Sequence, residues 1–317
     1  MMSNVMIADN TAWIDIDVDI EVVLQQVRLT GQQLKQQFQS LAPVTETGPL
    51  FAAFKRIDGA AADDLRQRLA QLYPAIAWFD GEPGGELDDS IPLPAGDCWL
   101  CDVIDGAVQY LRAIPQWCTV LTLLRDGEPQ LVVIYDAMHE ELFHAVAATA
   151  GMANMANMAN MANMANMANM ANMANMANVS GGAFRNGLPI TVNARSSFHE
   201  GILASSQPPF AFRYPQALQL AGQSLSAVLE HAIAVRNLGP TALQMAYVAC
   251  GRLDGFWVYG PDGYNCTGPA LLVREAGGTV STAEGSPYGL RSHSLLAAPA
   301  GVHASMLAAL QPVTGTA

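Results

Sequence analysis

Asp102, Val103, Ile104, Asp105 and Gly106 are the stretch whose residue types and spacing could do chemistry. They close an apolar, strand-like run, so two carboxylates stand at a strand end directly before a glycine, where a backbone amide can approach a ligand closely. If the chain turns between the two acids, both can converge on one hard divalent cation. Magnesium is such an ion: it takes oxygen ligands and keeps positions open for phosphate oxygens. A solvated turn is the competing reading of the same residues. No Walker phosphate loop, Gly-x-Ser-x-Gly elbow, His-Glu-x-x-His pair or zinc-type Cys/His cluster accompanies them. The six histidines, His139, His144, His199, His231, His293 and His303, are scattered. Cys98-Trp-Leu-Cys101 has redox-motif spacing, but in a strand positions three apart point to opposite faces. Two small buried side chains are the expected outcome.

The charge balance limits what such a site can serve. Fifteen basic and 28 acidic residues give a net charge of −13. That excludes broad binding to nucleic acid or to an anionic membrane. A phosphate-bearing ligand would need a local source of positive charge, and a bound cation is one. No run reaches the roughly 18 to 20 apolar residues needed to cross a bilayer. Met1 to Ile20 has no cationic segment followed by an apolar core, so it does not read as a secretory signal. Five cysteines, an odd number in a chain large enough not to need staples, suit a reducing compartment, and the cytoplasm is expected.

The elements that must position these acids fall on either side of a repeat. Nine tandem Met-Ala-Asn units run from Met152 to Asn178 and hold 9 of the 15 methionines, leaving 290 residues for a folded body. Three residues turn about 300° on a helix, so the methionines spiral without a fixed apolar face. A protruding helix or mobile loop over 151–180 is expected, contributing little to the core. The chain then divides into an N-terminal α/β half, 1–150, carrying the acids, and a C-terminal α/β half, 181–317, completing the site. In the first half, helices are predicted over 18–41 and 59–73 and a short strand over 75–79. A turn at 80–85 follows, then strands over 98–104, 118–125, 131–136 and 142–147, with a turn at Asp126 to Pro129. Beyond the repeat come a strand at 188–192, helices at 225–234 and 239–250, a strand at 255–259, and helices at 268–276 and 302–310.

In order along the chain, Glu82, Asp102-Val-Ile-Asp105-Gly106, Gly182-Ala-Phe-Arg-Asn-Gly187, Gly251-Arg-Leu-Asp-Gly255 and Glu275-Ala-Gly-Gly278 resemble the inositol monophosphatase family. The resemblance also takes in the hairpin from Asp126 to Phe143 and covers most of the chain outside the repeat. It implies an α/β protein with αβαβα layering, acting as a magnesium-dependent phosphomonoesterase on a small phosphorylated metabolite without a covalent intermediate. By the same resemblance, Glu82, Asp102 and the carbonyl of Ile104 would hold a first magnesium, and Asp102 with Asp105 a second. Asp58 would orient the attacking water, the amides of Gly106 and Ala107 would bind phosphate, and a homodimer is implied. Taken alone, Asp58 also reads as a helix N-cap, and Glu82 as a solvated turn residue.

This chain departs from the family at working positions. Ala107 stands where relatives have a threonine that helps activate water, and Val108-Gln109-Tyr110 replaces Thr-Asn-Phe. Tyr264-Asn265 replaces Trp-Asp, so the last acid of the second metal site is a neutral amide that can still offer a carbonyl oxygen. Val258 stands where inositol-cleaving members have a glutamate, and Pro240 follows Gly239 where a small polar residue is usual. A sugar phosphate or nucleotide-linked phosphate is therefore expected ahead of myo-inositol phosphate, with weakened activity. The alternative is a catalytically silent relative acting as a binding or regulatory protein.

Overall fold

Val23, Leu24, Val27 and Leu34 recur at helical spacing and bury one side of α1 (Ile20–Gln39), which Asp19 caps by accepting the amide of Val22. The computed structural model describes residues 18–41, 43, 46–79, 92, 95–148, 181–207 and 211–314. Glu82, the turn at 80–85 and the Met-Ala-Asn repeat lie outside the described residues.

Helix α2 (Thr47–Leu72) starts twelve residues before the predicted Gly59. Pro49 falls in its first turn, where a missing amide costs no helical hydrogen bond. Gly59, which costs about 1 kcal/mol against alanine inside a helix, is carried by packing further along. Leu65 and Leu69 are fully buried in the cluster shared with α1. Asp58 is therefore in a helix interior and caps nothing; the N-cap position belongs to Glu46.

The first sheet has seven strands in sequence order: β1 (Ala77–Trp78), β2 (Asp97–Asp105), β3 (Cys118–Arg125), β4 (Glu128–Asp136), β5 (Glu141–Val146), β6 (Gly182–Arg185) and β7 (Leu188–Pro189). Each pair is antiparallel except β1 with β2. The turn between β3 and β4 is shorter than predicted. Asp126 and Gly127 both have positive φ, the signature of a two-residue hairpin turn, so β4 already begins at Glu128. Strand β7 stops at Pro189 rather than running on to Val192: the Ile190 amide still reaches the Ala183 carbonyl at 2.9 Å, but the Val192 amide turns away to the carbonyl of Ala276 at 3.0 Å.

The second sheet has the order β11-β12-β10-β8-β9, built from β8 (Ile202–Ser206), β9 (Ala234–Arg236), β10 (Gly255–Tyr259), β11 (Thr279–Ser281) and β12 (Ser294–Ala298). Around the sheets lie α3 (Ala107–Leu111), α4 (Pro215–Leu229), α5 (Thr241–Ala249), α6 (Gly263–Glu275) and α7 (Ala300–Thr314). The helix predicted at 225–234 is displaced: Pro215 opens α4 at its first position, the helix ends at Leu229, and Ala234 starts a strand.

Three apolar clusters separate five layers. Val23 and Leu65 from α1 and α2 pack with Leu121 and Val133 on one face of the first sheet. On its other face Val120 and Ile134 meet Ala246 of α5 and Leu272 of α6, which in turn touch Phe256 and Leu295 of the second sheet. Trp257 and Leu296 on the far side of that sheet pack with Val228 of α4 and Val302 of α7. The result is an αβαβα sandwich. Its middle layer sits tightly: a Cβ built on Gly268 of α6 would run into the Thr122 hydroxyl of β3 and stand 2.9 Å from Val132.

The first sheet continues across 149–180, since Val146 of β5 pairs with Gly182 of β6. Glu275, at the end of α6, holds both margins of that gap. Its Oε1 accepts the amide of Ala148 at 3.0 Å and its Oε2 the amide of Gly182 at 2.8 Å. No described helix is long and apolar enough to cross a membrane.

Candidate functional site

In a regular strand Asp102 and Asp105 would face opposite ways, but β2 is not regular there. Asp102 pairs with Val120 and Asp105 with Cys118, so three steps along β2 match two along β3 across a bulge. Val120 and Cys118 are two apart and share one face, so the bulge turns both acids toward the α5/α6 layer. Asp102 Oδ1 accepts the amide of Ile104 at 3.0 Å across the bulge, and Thr119 Oγ1 donates to the carbonyl of Val103 at 2.9 Å. Gly106 then takes φ +96°, a left-handed turn into α3. A Cβ on it would meet the Gln116 carbonyl and the Pro240 ring, both at 2.9 Å, so the turn packs directly on the Gly239-Pro240 loop. Gly239 sits against the side chain of Gln109.

Asp105 is buried, and its Oδ2 accepts the Ala242 amide at 2.7 Å, at the first turn of α5. Thr241 beside it donates its hydroxyl to Asp262 Oδ2 at 2.9 Å and accepts the Ser206 hydroxyl at 3.2 Å. Asp262 Oδ1 accepts Nδ2 of Asn265 at 2.9 Å. Asp105, Thr241, Asp262 and Asn265 thus form one connected group where the N-terminal ends of α5 and α6 meet the end of β2. Tyr264 fastens α6 to that strand, its hydroxyl donating to the Cys101 carbonyl at 2.6 Å.

Burial raises the carboxyl pKa of Asp105 above the usual range; the Ala242 amide opposes this and the nearby Asp262 carboxylate adds to it. Desolvation raises Asp262 as well, while Asn265 and Thr241 oppose the rise. Every hydrogen-bond donor seen on these two carboxylates is neutral: amides, a hydroxyl and thiols. Asn265 supplies a further acceptor, because its Oδ1 is buried with no hydrogen-bond partner among the described residues. Among the described residues, no three His, Cys, Asp or Glu side chains are grouped so as to hold a metal by themselves. The available donors are therefore mixed, two carboxylates and an amide oxygen, with Asp102 nearby. An orphaned amide oxygen beside two carboxylates with no cationic partner among the described residues fits a hard cation, which needs only acceptors.

The remaining residues take up varied positions. Asp58 is half-buried on α2, near enough to join Asp102 in raising the Cys101 thiol, and desolvation lifts its own pKa to about 6. Ala107 opens α3, and the Ile104 side chain is buried on the α1/α2 side. Val258 is buried in β10, in the same apolar cluster as Cys118, Ala242 and Cys266, where it presents no polar group. Glu82 is outside the described residues. Cys98 and Cys101 fall in different clusters on opposite faces of β2, and burial raises both thiols. Asp262 was missed in the sequence; its signal was an acid three residues before Asn265 at a helix start, a spacing that puts both on one side.

Layering and site together define an αβαβα protein whose acids gather at the end of the first sheet's second strand. The model of the inositol monophosphatase family matches residues 15–314, and the chain belongs to that family. An inositol-1-monophosphatase from Synechocystis is 24% identical over 298 residues, covering 93% of this chain and 90% of the relative. The Nus factor SuhB of Haemophilus influenzae is 26% identical over 260 residues, 82% of each chain. The inositol monophosphatase of Anabaena superposes with a TM-score of 0.68 at 22% identity, covering 92% of this chain and 94% of that one. An IMPase from Thermotoga maritima gives 0.69 at 20% identity, covering 94% and 98%.

Proposed function

We propose that the chain is a magnesium-dependent hydrolase of small phosphate monoesters, reduced in activity relative to family members that keep every catalytic side chain. The observation that carries this reading is the bulge that brings Asp102 and Asp105 to one face, beside the unpartnered amide oxygen of Asn265. Glu82, Asp102 and the Ile104 carbonyl would hold one cation, and Asp102, Asp105 and Asn265 a second; each is a hard divalent metal. When bound they would supply Lewis-acid activation of water and stabilise the leaving oxygen.

The chain's own residues do the rest. Asp58, desolvated and lifted to about 6, orients a water and accepts its proton near neutral pH. The amides of Gly106 and Ala107 hold phosphate oxygens in the left-handed turn packed on Pro240, with Gly239 forming the neighbouring wall. Ala107 brings no hydroxyl, so water is held from the Asp58 side alone, which accounts for the reduced rate. Val258 offers no hydrogen bond to substrate hydroxyls, favouring a sugar phosphate or nucleotide-linked phosphate over myo-inositol phosphate. The N-terminal half supplies the acids and the C-terminal half completes the site, in a cytoplasmic homodimer.

A second reading, a silent relative acting by binding or regulation, is favoured by Ala107 and Asn265 and by relatives named both inositol-1-monophosphatase and Nus factor SuhB. Phosphate release from sugar phosphates, nucleotide-linked phosphates and inositol phosphates, with magnesium or manganese and again with EDTA, separates the two. Cation-dependent release from any of them supports the enzyme; cation-independent background throughout supports the binding protein.

A further inference from the structure

Asn265 leaves the second cation position one carboxylate short, and the geometry points to Asp262 as its replacement, a relocated cation ligand three residues earlier in the chain. The inference rests on the proposed cation site and concerns which residue of this chain completes it. Asp262 occupies the N-cap position of α6, where an aspartate ordinarily turns its side chain back onto the helix's own first amides. It makes no such capping bond. Its carboxylate instead points across to α5, taking the Thr241 hydroxyl on one oxygen and the Asn265 amide on the other.

Two contacts place it in the site. Thr241 adjoins Ala242, whose amide binds Asp105, so the two carboxylates flank the same first turn of α5. Asn265 gives its Nδ2 to Asp262, and this leaves its buried Oδ1 without a donor. Two carboxylates whose donors are all neutral, together with an orphaned amide oxygen, gather more acceptors than donors at this corner, with no cationic side chain on either acid among the described residues. Both the charge that Asn265 lacks and an oxygen to share the cation are thereby supplied. Divalent cations are sensitive to the number of charged ligands, so losing Asp262 would weaken one binding step without abolishing the other.

Manganese binding to the full chain, followed by electron paramagnetic resonance and calorimetry, tests this directly. Wild type should bind two ions, and D262N should bind one of them about 10- to 100-fold more weakly while leaving the tighter step unchanged. The double variant D262N/N265D, which moves the carboxylate three residues along, should restore the weakened step. Binding by D262N within twofold of wild type overturns the assignment, as does a loss that the double variant fails to restore. Should D262N not fold, D262E, which keeps the charge and displaces the carboxylate, takes its place: one binding step weakened with the other unchanged supports the relocation, and both steps unchanged overturns it. If wild type itself binds no manganese, or if D102N binds it as wild type does, the cation site falls and the inference with it.

Discussion

Thr241 Oγ1 donates to Asp262 Oδ2 at 2.9 Å, joining the start of one central helix to the start of the other. That bond satisfies a desolvated carboxylate, and a hydrogen bond to a charged group contributes about 1.5–3 kcal/mol. Thr241→Val keeps the shape and removes the donor, so it should lower the urea-unfolding free energy by about 2 kcal/mol in cation-free buffer. An unchanged midpoint would mean that Asp262 is satisfied by solvent instead.

Glu275 ties Ala148 and Gly182, the described residues on either side of 149–180, to the end of α6. Because its two oxygens bind Ala148 and Gly182, the margins of the segment are tied together independently of what lies between them. Deleting eight of the nine Met-Ala-Asn units should leave the melting temperature nearly unchanged, with a gain of about 1 kcal/mol at most from the shorter stretch of chain between Ala148 and Gly182. Glu275→Gln presents an amide group to a backbone donor and should cost about 1–3 kcal/mol. A large loss on deleting the repeat, or none on replacing Glu275, would reverse this assignment.

Much of this arrangement was legible in the sequence. Strands 118–125 and 255–259 have their predicted limits because alternating or continuous apolar residues end at clear turn signals. Strands β8, β9, β11 and β12 were not read: Ile202–Ser206 and Ser294–Ala298 are short and rich in alanine and serine, and only tertiary burial makes them strands. The same holds for the site. Asp102 and Asp105 stand out by type and spacing, but the bulge that turns them to one face depends on their pairing with β3. Asp262 belongs to no motif, and its place beside Thr241 follows from how α5 and α6 dock.

His144 should shape the acid limb of stability. It is buried, stacked on Phe184 with ring centroids 5.0 Å apart, and desolvation lowers its pKa from 6.5 to about 4. The folded state thus favours the neutral ring. Its contribution is fully present above pH 6.5 and is lost as pH falls from there toward 4, with a span of about 3 kcal/mol. His144→Phe keeps the stacking and cannot titrate, so its stability should fall less steeply between pH 6.5 and 4 than that of wild type. Parallel curves from chemical denaturation would contradict this.

Cys98 and Cys101 should be inert in the native protein. They lie on opposite faces of β2, and burial pushes the Cys98 thiol up to about 11 and raises Cys101 well above its usual value. Iodoacetamide followed by mass spectrometry should modify neither in folded protein and all five cysteines in urea. Rapid native labelling of the pair, or a disulfide between them, would revive a thiol-redox role.

The central claim is that this is a phosphatase scaffold whose acids still serve hydrolysis while Ala107 and Asn265 hold the rate down. Magnesium-dependent phosphate release by Ala107→Thr/Asn265→Asp, measured beside the parent on the same phosphomonoesters, tests it most directly. The account predicts measurable release by the parent and at least about a tenfold gain in the double variant, the lower end of what a positioned proton-transfer group contributes. No release by either protein from any substrate would contradict it.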